Sequence, residues 1–218
     1  MKYLLSYSTT LSFITEISYL KQQIIQFKEK YNYYPGDSPF IDEKVVNVTV
    51  GNGDGYIDDK NESLFAWRHM QWSDLIKLDF LYQPRSYAKL SYNMFKSKFV
   101  DCGYQILTDR KLNHVNYFFA DRMVFLRIAQ DKNLGNLSKS CLSAKHAAQI
   151  DYKIDDGYPL DGKLFSDQGY LELSVGKDLY KNKGEINSCI CKNNNAIYTY
   201  CLSSNNVSCI MQLNIDVI

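Results

Sequence analysis

An α+β fold with an antiparallel sheet is what this sequence predicts, on three observations. Amphipathic helical patterns fill the first third of the chain. Strand-like runs rich in β-branched and aromatic residues follow from about Lys98, and Asn, Asp or Gly punctuate those runs. The 218 residues suffice for one substantial domain, or one domain with an appendage, and an apolar fraction of 45% supports a packed core.

The first element is a helix from about Leu11 to Tyr31. Phe13, Ile17, Leu20, Ile24, Phe27 and Tyr31 recur at gaps of four and three, which aligns them as one narrow apolar seam, while Lys21, Gln22, Gln23, Gln26, Lys28 and Glu29 fill the other face. So narrow a seam suits a helix laid against a neighbour on one side. Pro35 and Gly36 end it, because the residue before a proline is pushed out of helical geometry. A short β-like run, VVNVTV (Val45 to Val50), precedes a glycine-rich loop, and a second amphipathic helix spans about Glu62 to Leu81, with Phe65, His69, Trp72, Ile76 and Phe80 on one face. His69 on that face reads as a core histidine whose ring nitrogen is satisfied. The strands come from FVDCGYQILTD, VNYFFADRMVFLRIA, AIYTYCL and CIMQLNI. Between them LSAKHAAQIDYKI (Leu142 to Ile154) reads as a short helix followed by the turn-rich DDGYPLDGK.

Charge excludes some functions. The net charge is +1 and Lys and Arg are interspersed with acids, so no basic face for nucleic acid or lipid headgroups is expected. YLLSYSTTLSFI is broken by Ser and Thr and falls short of the roughly 18 apolar residues of a membrane span. It also lacks the basic region and cleavage site of a secretory signal. Taken as a complete product, the chain would stay cytoplasmic. The six cysteines point the other way, because four of them, Cys189, Cys191, Cys201 and Cys209, crowd near the C-terminus in the manner of a disulfide set. A hairpin centred near Asn205 would place Cys201 opposite Cys209 at disulfide distance, with Cys189 and Cys191 finding other partners. The rival is a four-thiolate zinc site, without its usual C-x₂-C knuckles.

The loop GNGDGYIDDKNE (Gly51 to Glu62) carries the candidate binding residues. With Gly55 at position 6 of a helix–loop–helix calcium loop, Asn52, Asp54 and Asp58 fall at positions 3, 5 and 9; Val50 occupies position 1 and Glu62 comes one residue late. Asn52, Asp54, Asp58 and Glu62 are therefore candidate calcium ligands. Asn-Gly and Asp-Gly are also ordinary turn pairs, so a carboxylate-capped turn is the other reading. A second acidic group, Asp151, Asp155, Asp156 and Asp161, has the same two readings. Catalytic signatures are missing: no G-x-S-x-G, H-E-x-x-H, Walker-type G-K-[ST] or G-x-G-x-x-G after a strand occurs, and His69, His114 and His146 have no Cys or Ser at a recognised catalytic spacing. No enzyme activity is expected.

Three separated stretches resemble type IV pilin-like proteins and the related pseudopilins of type II secretion. ITEISYLKQQIIQFKEKYNYYPGD (Ile14 to Asp37) is similar to the C-terminal half of their long helix and its exit. GNGDG with Glu62 and FAWRHMQWSDLI (Phe65 to Ile76) resembles the glycine-rich loop and Trp-X-His helix of one subgroup. LSAKHAAQIDYKIDDGYPLDGK (Leu142 to Lys163) resembles a further segment of that subgroup. In place of the family's basic leader and unbroken apolar helix stands MKYLLSYSTTLSF, so the expectation is a head domain whose anchor has been trimmed or lost from a shortened reading frame. The resemblance implies a truncated N-terminal helix over 1–34 packed on the antiparallel sheet of a head domain over 35–218, with long loops. It also implies a structural subunit, a minor pilin or pseudopilin, with other such subunits as partners and no nucleic acid. The implied location is the periplasm or cell surface, where disulfides form. The alternative is a soluble extracytoplasmic calcium-binding module.

Overall fold

The computed structural model describes residues 7–39, 51–58, 61–108, 123–131, 137–168, 189–192, 197–202 and 207–216. Helix α1 covers Tyr7–Tyr31, four residues earlier than its apolar pattern suggests, and buries Thr10, Phe13, Ile17, Leu20, Ile24 and Phe27 along one side. Lys28 and Lys30 in the last turn favour the negative end of the helix dipole. The helix stops at Asn32, whose φ of 62° puts it in the left-handed region that Asn tolerates better than most residues, and Asn32 N–H closes on Lys28 O at 2.8 Å.

A seven-stranded antiparallel sheet receives that helix. Its strands are β1 (Phe95–Lys96), β2 (Gly103–Thr108), β3 (Val124–Asp131), β4 (Leu137–Lys139), β5 (Leu142–Ser143), β6 (Leu164–Gln168) and, after a separate antiparallel hairpin of β7 (Ile190–Lys192) and β8 (Tyr198–Tyr200), β9 (Val207–Asn214). The last strand is central: β9 pairs with β3, β5 and β6. Register aligns Ile106, Leu126, Leu213 and Leu164 in one row across β2, β3, β9 and β6, with Tyr104, Ile128 and Met211 two residues along. Residues two apart on a strand share a face, and these rows share one core with the α1 seam. Phe13 stacks on Tyr104 with ring centroids 6.1 Å apart. The alternate residues Phe125 and Phe165 meet edge-to-face at 6.2 Å in a second, smaller cluster.

Polar contacts hold α1 at both ends of its path. Glu16 accepts from Tyr104 Oη and Ser97 Oγ, both at 2.6 Å, and from Lys98 N at 3.2 Å. Farther along, Lys28 lies 3.1 Å from Asp216, whose carboxylate also accepts from Tyr34 Oη and from Val124 N. Helix α3 (Ala144–Ile154) starts at Ser143, whose hydroxyl accepts from His146 N, and buries the small face Ala144, Ala147, Ile150 and Asp151.

The second helix is shorter than its periodicity suggests. Helix α2 covers Glu62–Trp72 rather than reaching Leu81. Ser73 Oγ turns back to Met70 O at 2.9 Å, and Asp74 adopts a φ of 57°, so local capping ends the helix before the apolar pattern does. Its buried side is also rotated: Leu64, Trp67, His69 and Met70 face inward, whereas Phe65 and Trp72 are half-buried. Trp67 is enclosed and donates its indole N–H to Tyr104 O at 2.8 Å. Val45 to Val50 and the first part of VNYFFADRMVFLRIA lie outside the described residues. No helix among the described residues is long and apolar enough to cross a membrane.

All six cysteines are paired, as Cys102–Cys141, Cys189–Cys209 and Cys191–Cys201. The expected Cys201–Cys209 bridge is therefore corrected, and no thiolates remain for zinc. The expectation took β8 and β9 as the two arms of one hairpin. Instead β8 pairs with the preceding β7 and β9 joins the large sheet; Cys201 N donates to Cys189 O across that hairpin, the Cys201 disulfide runs diagonally to Cys191, and Cys189 reaches Cys209 on β9.

The one-sided seam makes a simple test. Leu20→Ala, at a fully buried site, should cost roughly 2–5 kcal/mol in urea unfolding. Leu11→Ala, the same change at a site 40% exposed, should cost less than about 1 kcal/mol. Equal losses would contradict a helix lying on one face.

Candidate metal centre

The candidate site forms where α1 leaves the sheet. Past Tyr34 the chain turns through Pro35, Gly36 and Asp37, and the glycine-rich loop is drawn up against this turn: Gly51 N donates to Ser38 O at 2.9 Å and Gly53 N to Asp37 O at 3.0 Å. Gly51 has no substitute here, because a Cβ on it would stand 2.1 Å from the carbonyl carbon of Asp37. Gly36, at φ +102°, lies in a region open to glycine, and a Cβ on it would meet Glu62 O at 2.7 Å. The other end of the loop is fastened to β2, where Ile57 N donates to Thr108 Oγ1 and Thr108 N to Ile57 O, both at 3.0 Å.

Three carboxylates converge in this knot. Asp37, Asp54 and Glu62 each present an oxygen within 4.8 Å of the other two. Asp37 and Glu62 are buried and Asp54 is exposed. Glu62 spans the loop, accepting from Asn52 N at 2.9 Å through Oε1 and from Asp58 N at 3.1 Å through Oε2. Asp37 accepts from Gly55 N at 3.2 Å through Oδ2. Burial raises the pKa of both groups. For Asp37 the N–H groups of Gly55, Gly53 and Asp54 oppose the rise and the Asp54 charge adds to it. For Glu62 the N–H groups of Asn52 and Asp58 oppose it and the charges of Asp37 and Asp58 add.

Of the four residues singled out by spacing, Asp54 and Glu62 enter this cluster. Asn52 instead folds its amide onto Asp54, accepting from Asp54 N at 2.9 Å and donating to Asp54 Oδ2 at 3.1 Å. Asp58 turns to the start of α2 and accepts from Asn61 N at 2.6 Å. Asp37 was missed. Its signal was present in the Pro-Gly-Asp helix exit, but nothing local connects that tripeptide to a loop beginning at Gly51. His69 is a core histidine: Nδ1 accepts from Gly36 N at 3.0 Å, and the ring stacks near Phe27 and Trp72.

The second acidic group is built differently. Asp151 is fully buried; its Oδ2 accepts from Tyr200 Oη at 2.6 Å and its Oδ1 from Gly157 N at 3.3 Å, while Ser166 Oγ lies 2.7 Å from Tyr200 Oη. Asp155 Oδ2 accepts from Lys163 N and Leu164 N, Asp156 Oδ1 from Tyr158 N, and Asp161 Oδ1 from Gly162 N. These carboxylates cap turns. Ser143 and His146 likewise form a helix N-cap, and His114 lies outside the described residues. No protein-family model, curated protein or solved structure matches this chain.

Two measurements follow from this geometry. Gly51→Ala should destabilise the fold by about 1–3 kcal/mol in urea, the usual cost of forcing atoms into filled space. The second concerns Asp151, whose carboxyl burial pushes up to about 7, against the opposing hydrogen bonds from Tyr200 and Gly157. The native state then holds a proton that the unfolded chain releases near its ordinary value of 3.8. This contribution to stability is full below about pH 4 and is lost as the pH rises to about 7. The thermal midpoint should fall across that window by on the order of a few degrees, and Asp151→Asn should flatten that part of the profile.

Proposed function

We propose that this chain is a structural subunit of a type IV pilus or type II secretion filament, a minor pilin or pseudopilin-like head domain. The observation that carries this reading is the meeting of the first two pilin-like stretches at the exit of α1. Gly36 of the Pro-Gly-Asp exit donates to His69 of the Trp-X-His helix, and Asp37 O receives Gly53 of the GNGDG loop. Sequence signals resembling a single family thus serve one structural purpose, which is to lock the helix exit onto the head.

The disposition of α1 agrees with such a role. One side is sealed against the sheet, while Tyr7, Leu11 and Tyr19, spaced by four and eight residues, leave large apolar groups exposed on the helix. Residues four apart share a helix face, so Tyr7 and Leu11 together offer an apolar surface suited to a neighbouring subunit's helix, while Tyr19 is turned aside and donates its hydroxyl to Leu75 O at 3.3 Å. Three disulfides suit a periplasmic or surface location, since such bonds persist in oxidising compartments. The second reading is a soluble extracytoplasmic calcium-binding module, favoured by the converging carboxylates of Asp37, Asp54 and Glu62.

Shearing surface filaments from cells that express the complete gene product separates the two. Under the subunit reading the protein sediments with the filaments and leaves that fraction when filament assembly is blocked. Recovery in the soluble extracytoplasmic fraction alone, while filaments are still made, would exclude it.

A further inference from the structure

We propose that the groove between α1 and the turn joining α3 to β6 binds an aliphatic monocarboxylate, with Lys21 and Lys163 receiving its carboxylate. A cavity of about 520 Å³ opens there between α1, the end of α3, Lys163 and β9. That volume lies within the roughly 300–1,000 Å³ of small-molecule sites. Its apolar lining is gathered from separate elements: Ile17 and Leu213 are buried, while Ile25 and Ile154 are half-buried.

Two cations face this one cavity. Lys21 comes from α1 and Lys163 from the position just before β6. The same residue of β9 ties both of them: Asn214 N donates to Lys163 O at 2.8 Å, and Asn214 O accepts from Lys21 Nζ at 3.5 Å. Burial, and then the charge of Lys163, lower the pKa of Lys21, while the charge of Asp216 opposes them. Asp216 also serves Lys28, Tyr34 Oη and Val124 N. Asp155, beside Lys163, accepts through Oδ2 from the backbone N–H groups of Lys163 and Leu164. Like charges in a half-buried groove repel one another, and an anion seated between them turns that repulsion into attraction.

The lining defines the ligand. Paired ammonium groups call for an anion, and the isoleucines and leucine beside them call for an alkyl chain. Glu29, the acid of the lining, sits eight residues past Lys21, about 12 Å along the helix. That exceeds the Debye length of about 8 Å at physiological salt, so its repulsion at the lysines is largely screened. Two lysines against one glutamate leave a lining of net charge +1, which a single carboxylate balances and an anion of higher charge does not. The inference stands apart from the filament reading, because an isolated chain suffices to bind the ligand.

Calorimetric titration of sodium octanoate into the whole chain tests it, with 1-octanol and sodium phosphate as parallel probes. One site is expected, with a Kd on the order of 1 mM for a ligand of about ten non-hydrogen atoms. Octanol lacks the charge and phosphate lacks the chain, so each should bind about tenfold more weakly or worse. Lys21→Gln and Lys163→Gln should each weaken octanoate binding about tenfold. Neither should lower the ligand-free thermal midpoint, since each removes one of two repelling charges. Lys30→Gln, at an exposed position on the same helix outside the groove, should bind octanoate as the parent does. No heat at about 20 mM octanoate, equal binding of octanol or phosphate, or parent-like binding by both groove variants would each overturn the proposal. Self-association that octanoate does not displace and Lys21→Gln abolishes would assign the groove to a second copy of the chain, and would overturn it as well.

Discussion

The apolar seam of α1 against one face of the sheet is the contact from which the remaining architecture follows. Phe13, Ile17, Leu20, Ile24 and Phe27 share a core with Tyr104, Ile106, Leu126, Ile128, Leu164, Met211 and Leu213, so the helix and four strands bury their apolar groups in a common layer. Rotating α1 about its axis would bring Lys21, Lys28 and Glu29 toward this layer at a heavy desolvation cost. Glu16 and the Lys28–Asp216 pair then fix where along the sheet the helix lies. Burial and the Glu16 carboxylate together hold the Tyr104 pKa well above its ordinary range, which keeps the phenol a donor at every physiological pH.

Once α1 is so placed, its exit has one direction. Asn32 and Gly36 turn the chain in left-handed backbone, and the loop from Gly51 packs against that turn with spacing that only a glycine allows. The cluster of carboxylates is thus a product of the seam: the same packing that seats Phe27 beside His69 brings Asp37 to Glu62. Electrostatics oppose this closure, as the raised pKa values of Asp37 and Glu62 express, and backbone N–H groups of the loop offset part of the strain.

A different device secures the C-terminal part. The β7–β8 hairpin has only two strands, and such a hairpin is marginal in water by itself. Cys191–Cys201 closes it across a short separation of 10 residues, and Cys189–Cys209 fastens it to the central strand β9. Tyr200 adds a polar tie through Asp151 and Ser166. Cross-links fixed in an unfolded chain reduce its freedom, by about 3 kcal/mol for a loop of roughly 15 residues, so oxidation and sheet formation support the same arrangement.

Local chemistry made much of this protein legible. Helix periodicity identified the α1 seam because every member of it sits on one element, where spacing alone determines the face. The α+β order, the helix after Leu142 and the core role of His69 were legible for the same reason. Tertiary structure decided whatever depends on partners distant in sequence. Strand choice is one such matter: β8 turned back to β7 rather than on to β9, and that reassigned Cys201 and Cys209. The end of α2 is another, since Ser73 and Asp74 capped a helix whose apolar pattern continued. The last is Asp37, whose carboxylate is brought beside Asp54 and Glu62 by the direction in which a buried helix leaves its sheet.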